Sequence, residues 1–228
     1  MKKVFLVLAA LLTITNVIAQ CNNPFYQLKK GTIIEMTNYD KKDKIQGRTE
    51  TEVIEFDESS NGYISTIAYK FFDKKNKLVS EGDYTLTCDD GIIKIDMSSF
   101  VPAESMAAFQ NMEVEVNMDR LEYPSNMEVG QNLNDAKLQL STKNSPVPMK
   151  MVFNITDRKV EGKESVTTPA GTFDCFKIGY NSSSKVMISN MNYRTVEYIS
   201  QKCGAVRTET YKSNGNMIGY TLLTRYEY

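Results

Sequence analysis

The chain has no histidine and no tryptophan in its 228 residues. Without histidine there is no usual general base, no Ser-His or Cys-His nucleophile pair, and none of the commonest zinc ligand. Without tryptophan, thirteen tyrosines are a thin basis for a carbohydrate-stacking platform, and β propensity accounts for most of them. There is no excess of charge of one sign: 27 basic residues face 28 acidic ones. That balance gives no electrostatic reason to expect nucleic acid or an anionic membrane surface as partner. There is also no C-x-x-C pair to hold a metal, no glycine-serine linker to divide the chain, and no motif that calls for a cofactor. These absences point to a protein that is not an enzyme.

What is present begins with an address. Lys2 and Lys3 precede an apolar run over residues 4–14, and Val17 and Ala19 stand at the −3 and −1 positions of a cleavage site. This is the layout of a secretory signal peptide over residues 1–19. The run is too short for a membrane span, which needs about 20 apolar residues, and no later segment supplies one. Export to the periplasm or the extracellular space is the expectation. Cys21 raises a competing reading as a lipoprotein, but Gln20 stands where lipoprotein processing wants a small residue.

Four cysteines, Cys21, Cys88, Cys175 and Cys203, remain after cleavage, and an even number in an exported chain favours disulfides. Three pairings are open. The favoured one ties a loose N-terminus down through Cys21 and Cys88 and joins Cys175 to Cys203.

Residues 20–228 read as a single antiparallel β domain. Alternating or β-branched segments occur at 32–39, 49–56, 63–72, 78–88, 92–97, 113–121, 137–142, 149–156, 160–167, 186–200, 206–211 and 217–228. Three of the intervening turns share one chemistry: Tyr39-Asp40-Lys41-Lys42-Asp43-Lys44, Phe72-Asp73-Lys74-Lys75-Asn76-Lys77 and Tyr211-Lys212-Ser213-Asn214-Gly215-Asn216. Their unequal spacing argues for shared hairpin chemistry and against a repeat array.

One segment departs from the pattern. Residues 102–111 are rich in helix formers with a proline near the start, which predicts a short helix. Phe100, Met106, Phe109 and Met112 would form its apolar stripe, in a neighbourhood that also holds Met97, Met118 and Met127. Such a stripe ordinarily fills the space between helix and sheet. Over a concave sheet it could also cover an apolar ligand, because methionine adapts to varied shapes. Paired carboxylates are the remaining catalytic option. Asp89-Asp90 precedes Gly91 in a turn, and Glu113 and Glu115 sit on one strand face beside polar neighbours.

Three stretches carry a family resemblance: residues 157–165, the hairpin Thr167-Thr168-Pro169-Ala170-Gly171-Thr172-Phe173-Asp174-Cys175, and residues 204–211. Together they resemble secreted bacterial domains of unknown function labelled TapB-like, which are similar in architecture to the carriers LolA and LolB. The resemblance implies a curved antiparallel half-barrel with one short helix covering it, and it supplies no catalytic residues. Two functions follow as expectations. One is a binding protein for an apolar or lipid-like ligand in the concave face. The other is a structural or protein-interaction domain of the cell envelope, held by an envelope protein partner.

Overall fold

Short polar turns between alternating segments leave the backbone one economical solution, a meander in which each strand pairs with its sequence neighbour. The computed structural model describes residues 21–228, apart from 22, 27, 60–61, 101–108, 110–111, 145–148 and 187–188. The first meander comprises β1 (Ile33–Asp40), β2 (Ile45–Ser59), β3 (Gly62–Asp73), β4 (Leu78–Asp89) and β5 (Ile92–Asp96). Two short strands follow, β6 (Val114–Met118) and β7 (Arg120–Pro124). The second meander is β8 (Ala136–Thr142), β9 (Lys150–Thr168), β10 (Gly171–Val186), β11 (Ser189–Ser200), β12 (Gly204–Lys212) and β13 (Met217–Glu227).

Antiparallel pairing of β13 with β1 fuses the two meanders into one sheet, in the order β6-β8-β9-β10-β11-β12-β13-β1-β2-β3-β4-β5-β7. The sheet curls past a half-barrel into a barrel with an unsealed seam. Its two edge strands, β6 and β7, are consecutive in the chain and are joined through Asp119 alone. The expected helix over residues 102–111 falls almost wholly outside the described residues. What is seen beside it is a single 3-10 turn over Met97–Phe100. None of the described helices is long and apolar enough to cross a membrane.

Two sequence expectations are corrected by local backbone chemistry. The strands expected at 149–156 and 160–167 are one long strand, β9. They are spliced by a bulge at Asp157, which sits at φ 56°. Its amide donates to Asp135 Oδ1, and its Oδ2 accepts from Asn181 Nδ2. The strand expected at 113–121 is instead two, broken at Asp119, whose amide and carboxylate both bond the Lys137 backbone across the seam.

The three related turns do share one geometry. In each, a residue with positive φ closes the loop: Asp43, Asn76 and Gly215. Asp40 and Asp73 each accept two amide hydrogen bonds from their own turn, at 2.8–3.0 Å. Those bonds hold both carboxyls below the usual range.

One end of the barrel is closed by the N-terminal segment, residues 21–30. Phe25 is fully buried and meets Phe176 edge-on at 5.4 Å. Asn23 Nδ2 donates to the carbonyls of Gly91 and Tyr123, and the Tyr63 hydroxyl donates to the Tyr26 carbonyl. Cys21 is bonded to Cys88. Gly204, at φ 79°, completes the fit, since a Cβ there would lie 2.1 Å from the Tyr26 ring. The main core, including Ile93, Leu121, Leu138, Met151 and Ile178, packs in one cluster with Phe25 and Leu28 of this plug. A smaller cluster forms where the β9–β10 hairpin reaches β12 and β13: Val166 and Phe173 pack with Val196, Tyr198, Val206 and Leu223. Cys175 and Cys203 belong to that cluster as buried free thiols, not as the expected second bridge.

Arg158 crosses the seam from inside. It is 1% exposed, and its Nη1 donates to the carbonyls of Glu122 on β7 (3.1 Å) and Asn134 before β8 (2.9 Å). Arg158→Ala is expected to lower the unfolding free energy by about 2–4 kcal/mol, from lost charge-assisted bonds plus a cavity. Removing the exposed Arg225 partner of Glu227 should leave stability nearly unchanged, because water and salt screen an exposed pair. Urea titration of both variants checks this; equal losses would mean that Arg158 does not hold the seam.

Candidate functional site

Strand alternation sends every second side chain into the barrel, and above the plug these side chains do not meet. They leave a cavity of about 720 Å³, within the range of roughly 300–1,000 Å³ typical of small-molecule sites. Its wall is divided. On β3 to β5 it is hydrocarbon and ring, with Ile67, Phe71, Leu86 and Ile95, and Phe153 and Ile155 continue this lining on β9; β2 adds Val53 beside Thr49 and Thr51. On β10 to β13 and on into β1 it is mostly hydroxyl and amide, with Ser182, Thr195, Thr208, Thr210, Thr221 and Asn38. Tyr26 of the plug and Glu197 of β11 also face the space.

Glu197 is the unusual group. It is 3% exposed, and its Oε2 accepts from the Tyr123 hydroxyl at 3.0 Å. Burial pushes its carboxyl above the ordinary range, opposed by the charge of Arg158 and by the Tyr123 hydrogen bond. Burial also raises the phenols of Tyr26, Tyr123 and Tyr180, with the Glu197 charge adding to the effect. Arg158 stacks its guanidinium over Tyr123 at 5.0 Å, and its Nε and Nη2 have no hydrogen-bond partner among the described residues. Glu197, Tyr26 and Tyr180 therefore face the lumen, with Tyr123 hydrogen-bonded to Glu197 and Arg158 stacked on Tyr123 behind that lining.

The carboxylate is hydrogen-bonded by one phenol, and no second carboxylate lines the cavity. No group of three or more cysteine or acidic side chains among the described residues could hold a metal. Cys203 lines the cavity, but burial pushes its thiol up to about 12, which leaves it a poor nucleophile. A smaller depression of about 180 Å³, lined by Asn117, Asp119, Lys137 and Gln139, lies on β6 and β8 and is polar throughout.

Of the four residues expected to bind ligand, the side chains of Phe109 and Met112 are among those described. Phe109 is buried in the main core and Met112 is 43% exposed; neither lines the cavity. Met106 and the side chain of Phe100 lie outside the described residues. Ser98 and Ser99, just before that stripe, do face the space. The lumen residues themselves had one faint signal in the sequence: the run Thr208-Glu209-Thr210 and the isolated Thr49 and Thr51 alternate without an apolar face.

A barrel-shaped antiparallel sheet with an open seam around a ligand-sized lumen defines an architecture and not an activity. The chain belongs to the DUF3108-like family, whose match spans residues 29–223. It is similar to a Bacteroides fragilis protein described as exported and YmcC-like in fold, with a TM-score of 0.77 and 23% identity, covering 90% of this chain and 99% of that one. It is also similar to a Parabacteroides distasonis protein described as a lipoprotein, with a TM-score of 0.76 and 26% identity, covering 91% and 99% respectively. No curated protein matches it. The secreted-domain resemblance thus takes the form of the DUF3108-like family, and the matches do not extend it to the TapB-like group or to LolA.

The raised carboxyl of Glu197 has a definite consequence for stability. A carboxyl whose folded pKa exceeds its unfolded one favours folding fully below the unfolded pKa, and that contribution is lost as pH rises through the folded value. Glu197→Gln removes the charge without changing shape. It should match the parent near pH 4 and be more thermally stable than the parent at pH 7–8, as thermal unfolding across that range would show. A variant less stable at every pH would mean that the ionised carboxylate is held by its partners and not penalised by burial.

Proposed function

We propose that this chain is an exported, non-enzymatic protein that holds an apolar or lipid-like small molecule in its barrel lumen. The observation that carries the reading is the cavity of about 720 Å³, one wall of which is hydrocarbon and aromatic. Close packing is the rule in protein interiors, where voids larger than a water molecule are few. This space opens to solvent and is not a packing void; a concave site of this size with a largely apolar and aromatic lining is the form that small-molecule sites take.

Export rests on three supports. Residues 1–19 have the layout of a signal peptide. The Cys21–Cys88 bond belongs to an oxidising compartment. The relatives are described as exported or as a lipoprotein. The bond also bears on anchoring. Lipid attachment uses the sulfur of the first cysteine, and Cys21 Sγ is already bonded to Cys88. The mature protein should begin at Gln20 and carry the Cys21–Cys88 link. Non-reducing peptide mapping of protein recovered from cells checks this, and a diacylated Cys21 would refute it.

The lumen reading predicts uptake of an environment-sensitive apolar dye such as N-phenyl-1-naphthylamine, with enhanced emission and a stoichiometry near one. Thr49 faces the cavity and is half-buried, so Thr49→Trp should fill the space and weaken uptake about tenfold, equivalent to ~1.4 kcal/mol. Fluorescence titration of both forms decides it. Uptake that is absent, or unaffected by filling the lumen, would count against a lumen site.

A further inference from the structure

The cavity wall carries more information than its volume. Strand register sets one direct cross-strand row of lumen-facing polar side chains: Glu197 on β11 opposes Thr208, Thr208 opposes Thr221, and Thr221 opposes Asn38. Beside it runs a second row, Tyr180 opposite Thr195 and Thr195 opposite Thr210. The first row begins near the β11–β12 turn at the plugged end and finishes near the β1–β2 turn at the other. It therefore climbs the barrel, as the tilt of strands in a barrel requires.

We propose that the lumen takes a neutral amphiphile, its hydroxyl-bearing headgroup lying along this row and its single hydrocarbon chain against the β3–β5 wall. The proposal rests on the lumen reading above and adds the chemistry of the headgroup. Three observations support it. First, Asn38, Thr208, Thr210 and Thr221 make no side-chain hydrogen bond among the described residues, so each has capacity to spare. A wholly apolar occupant would cover these groups without pairing them, which is unfavourable.

Second, no lysine or arginine lines the cavity, and its one ionisable carboxyl is Glu197. A carboxylate or phosphate headgroup would meet an acid and find no cation in the lining; Arg158, which does not line the cavity, is held at the seam by its Nη1 bonds to two backbone carbonyls. Third, strand propensity does not account for the threonines. The same barrel places Val53, Ile67, Leu86 and Ile95 at equivalent inward positions on the opposite wall. The lining of β3–β5 is all hydrocarbon and ring, whereas hydroxyls concentrate on β10–β13, with Thr49 and Thr51 added by β2, and an amphiphile is the occupant that matches such a lining.

The test compares three ligands with one oleoyl chain: monooleoylglycerol, oleate and oleoyl lysophosphatidate, each titrated calorimetrically below its micellar concentration. Monooleoylglycerol should bind about tenfold more tightly than either anion. The double variant Thr208→Val/Thr221→Val, which keeps the shape and removes the hydroxyls, should lose about tenfold for monooleoylglycerol while keeping the parent's circular dichroism spectrum. Equal or tighter binding of an anion, or an unchanged monooleoylglycerol affinity in the double variant, overturns the headgroup assignment. If the dye still binds in those cases, the lumen reading stands. Failure of the dye and of all three lipids overturns both. Should the double variant fold poorly, Thr221→Val alone carries the same comparison.

Discussion

The guanidinium of Arg158 sits where the sheet fails to close. The two edge strands, β6 and β7, are sequence neighbours, so the chain itself crosses the seam but cannot pair with itself there. Carbonyls on both sides of the gap need donors, and an unsatisfied buried carbonyl is unfavourable. Arg158 supplies one nitrogen to both, Glu122 on one side and Asn134 on the other. Asp119 and the pair Asn134–Glu122 add bonds at the same boundary. With the gap bridged this way the barrel keeps its curvature, and the lumen exists only because the curvature is kept.

A buried cation has consequences of its own. Removing a guanidinium from water carries a large desolvation cost unless opposite charge or hydrogen bonds offset it. Here the offset comes from two carbonyls, the face of Tyr123 and the field of Glu197. Glu197 is therefore tied to the seam even though it faces the lumen. The same strand carries the division between the two clusters. On β11, Thr195 and Glu197 face the cavity, whereas Val196 and Tyr198 belong to the smaller cluster under the β9–β10 hairpin. This strand is thus turned inside out relative to an ordinary β-sheet, with its polar side inward. Such an inversion is stable because the hairpin covers the apolar side.

That inversion also explains how much could be read from the sequence. Strand positions, the three related turns and the Pro169–Gly171 hairpin were legible, because turn residues declare their backbone geometry locally. In that hairpin Gly171 lies opposite Thr168 and Cys175 opposite Glu164. The lumen was not legible. Where both faces of a strand are polar, as in Arg207-Thr208-Glu209-Thr210, alternation gives no sign of which face is inside. Arg158 was hidden by the bulge at Asp157, which changes the inward parity between Ile155 and Arg158. A methionine-rich stripe drew attention to residues 100–112 because apolar clustering is visible locally, but a cavity made by eight or more strands is a property of register.

The plug gives the lumen a direction. Cys21 is bonded to Cys88, Asn23 is bonded to β5 and β7 backbone at the same end, and Tyr26 packs into the hollow that Gly204 leaves. These contacts reach opposite sides of the barrel, so residues 21–30 act as a crossbar. Closing this end by a covalent bond fixes Tyr26 in the cavity floor independently of whether anything is bound. A ligand of the kind proposed above would then enter and leave by the other end, where the β1–β2, β3–β4 and β12–β13 turns lie, or by the seam. The turns are held by their own aspartate and asparagine side chains and are rigid by construction. The seam, held by side chains and not by a continuous ladder, is the part of the wall whose opening would break the fewest backbone bonds.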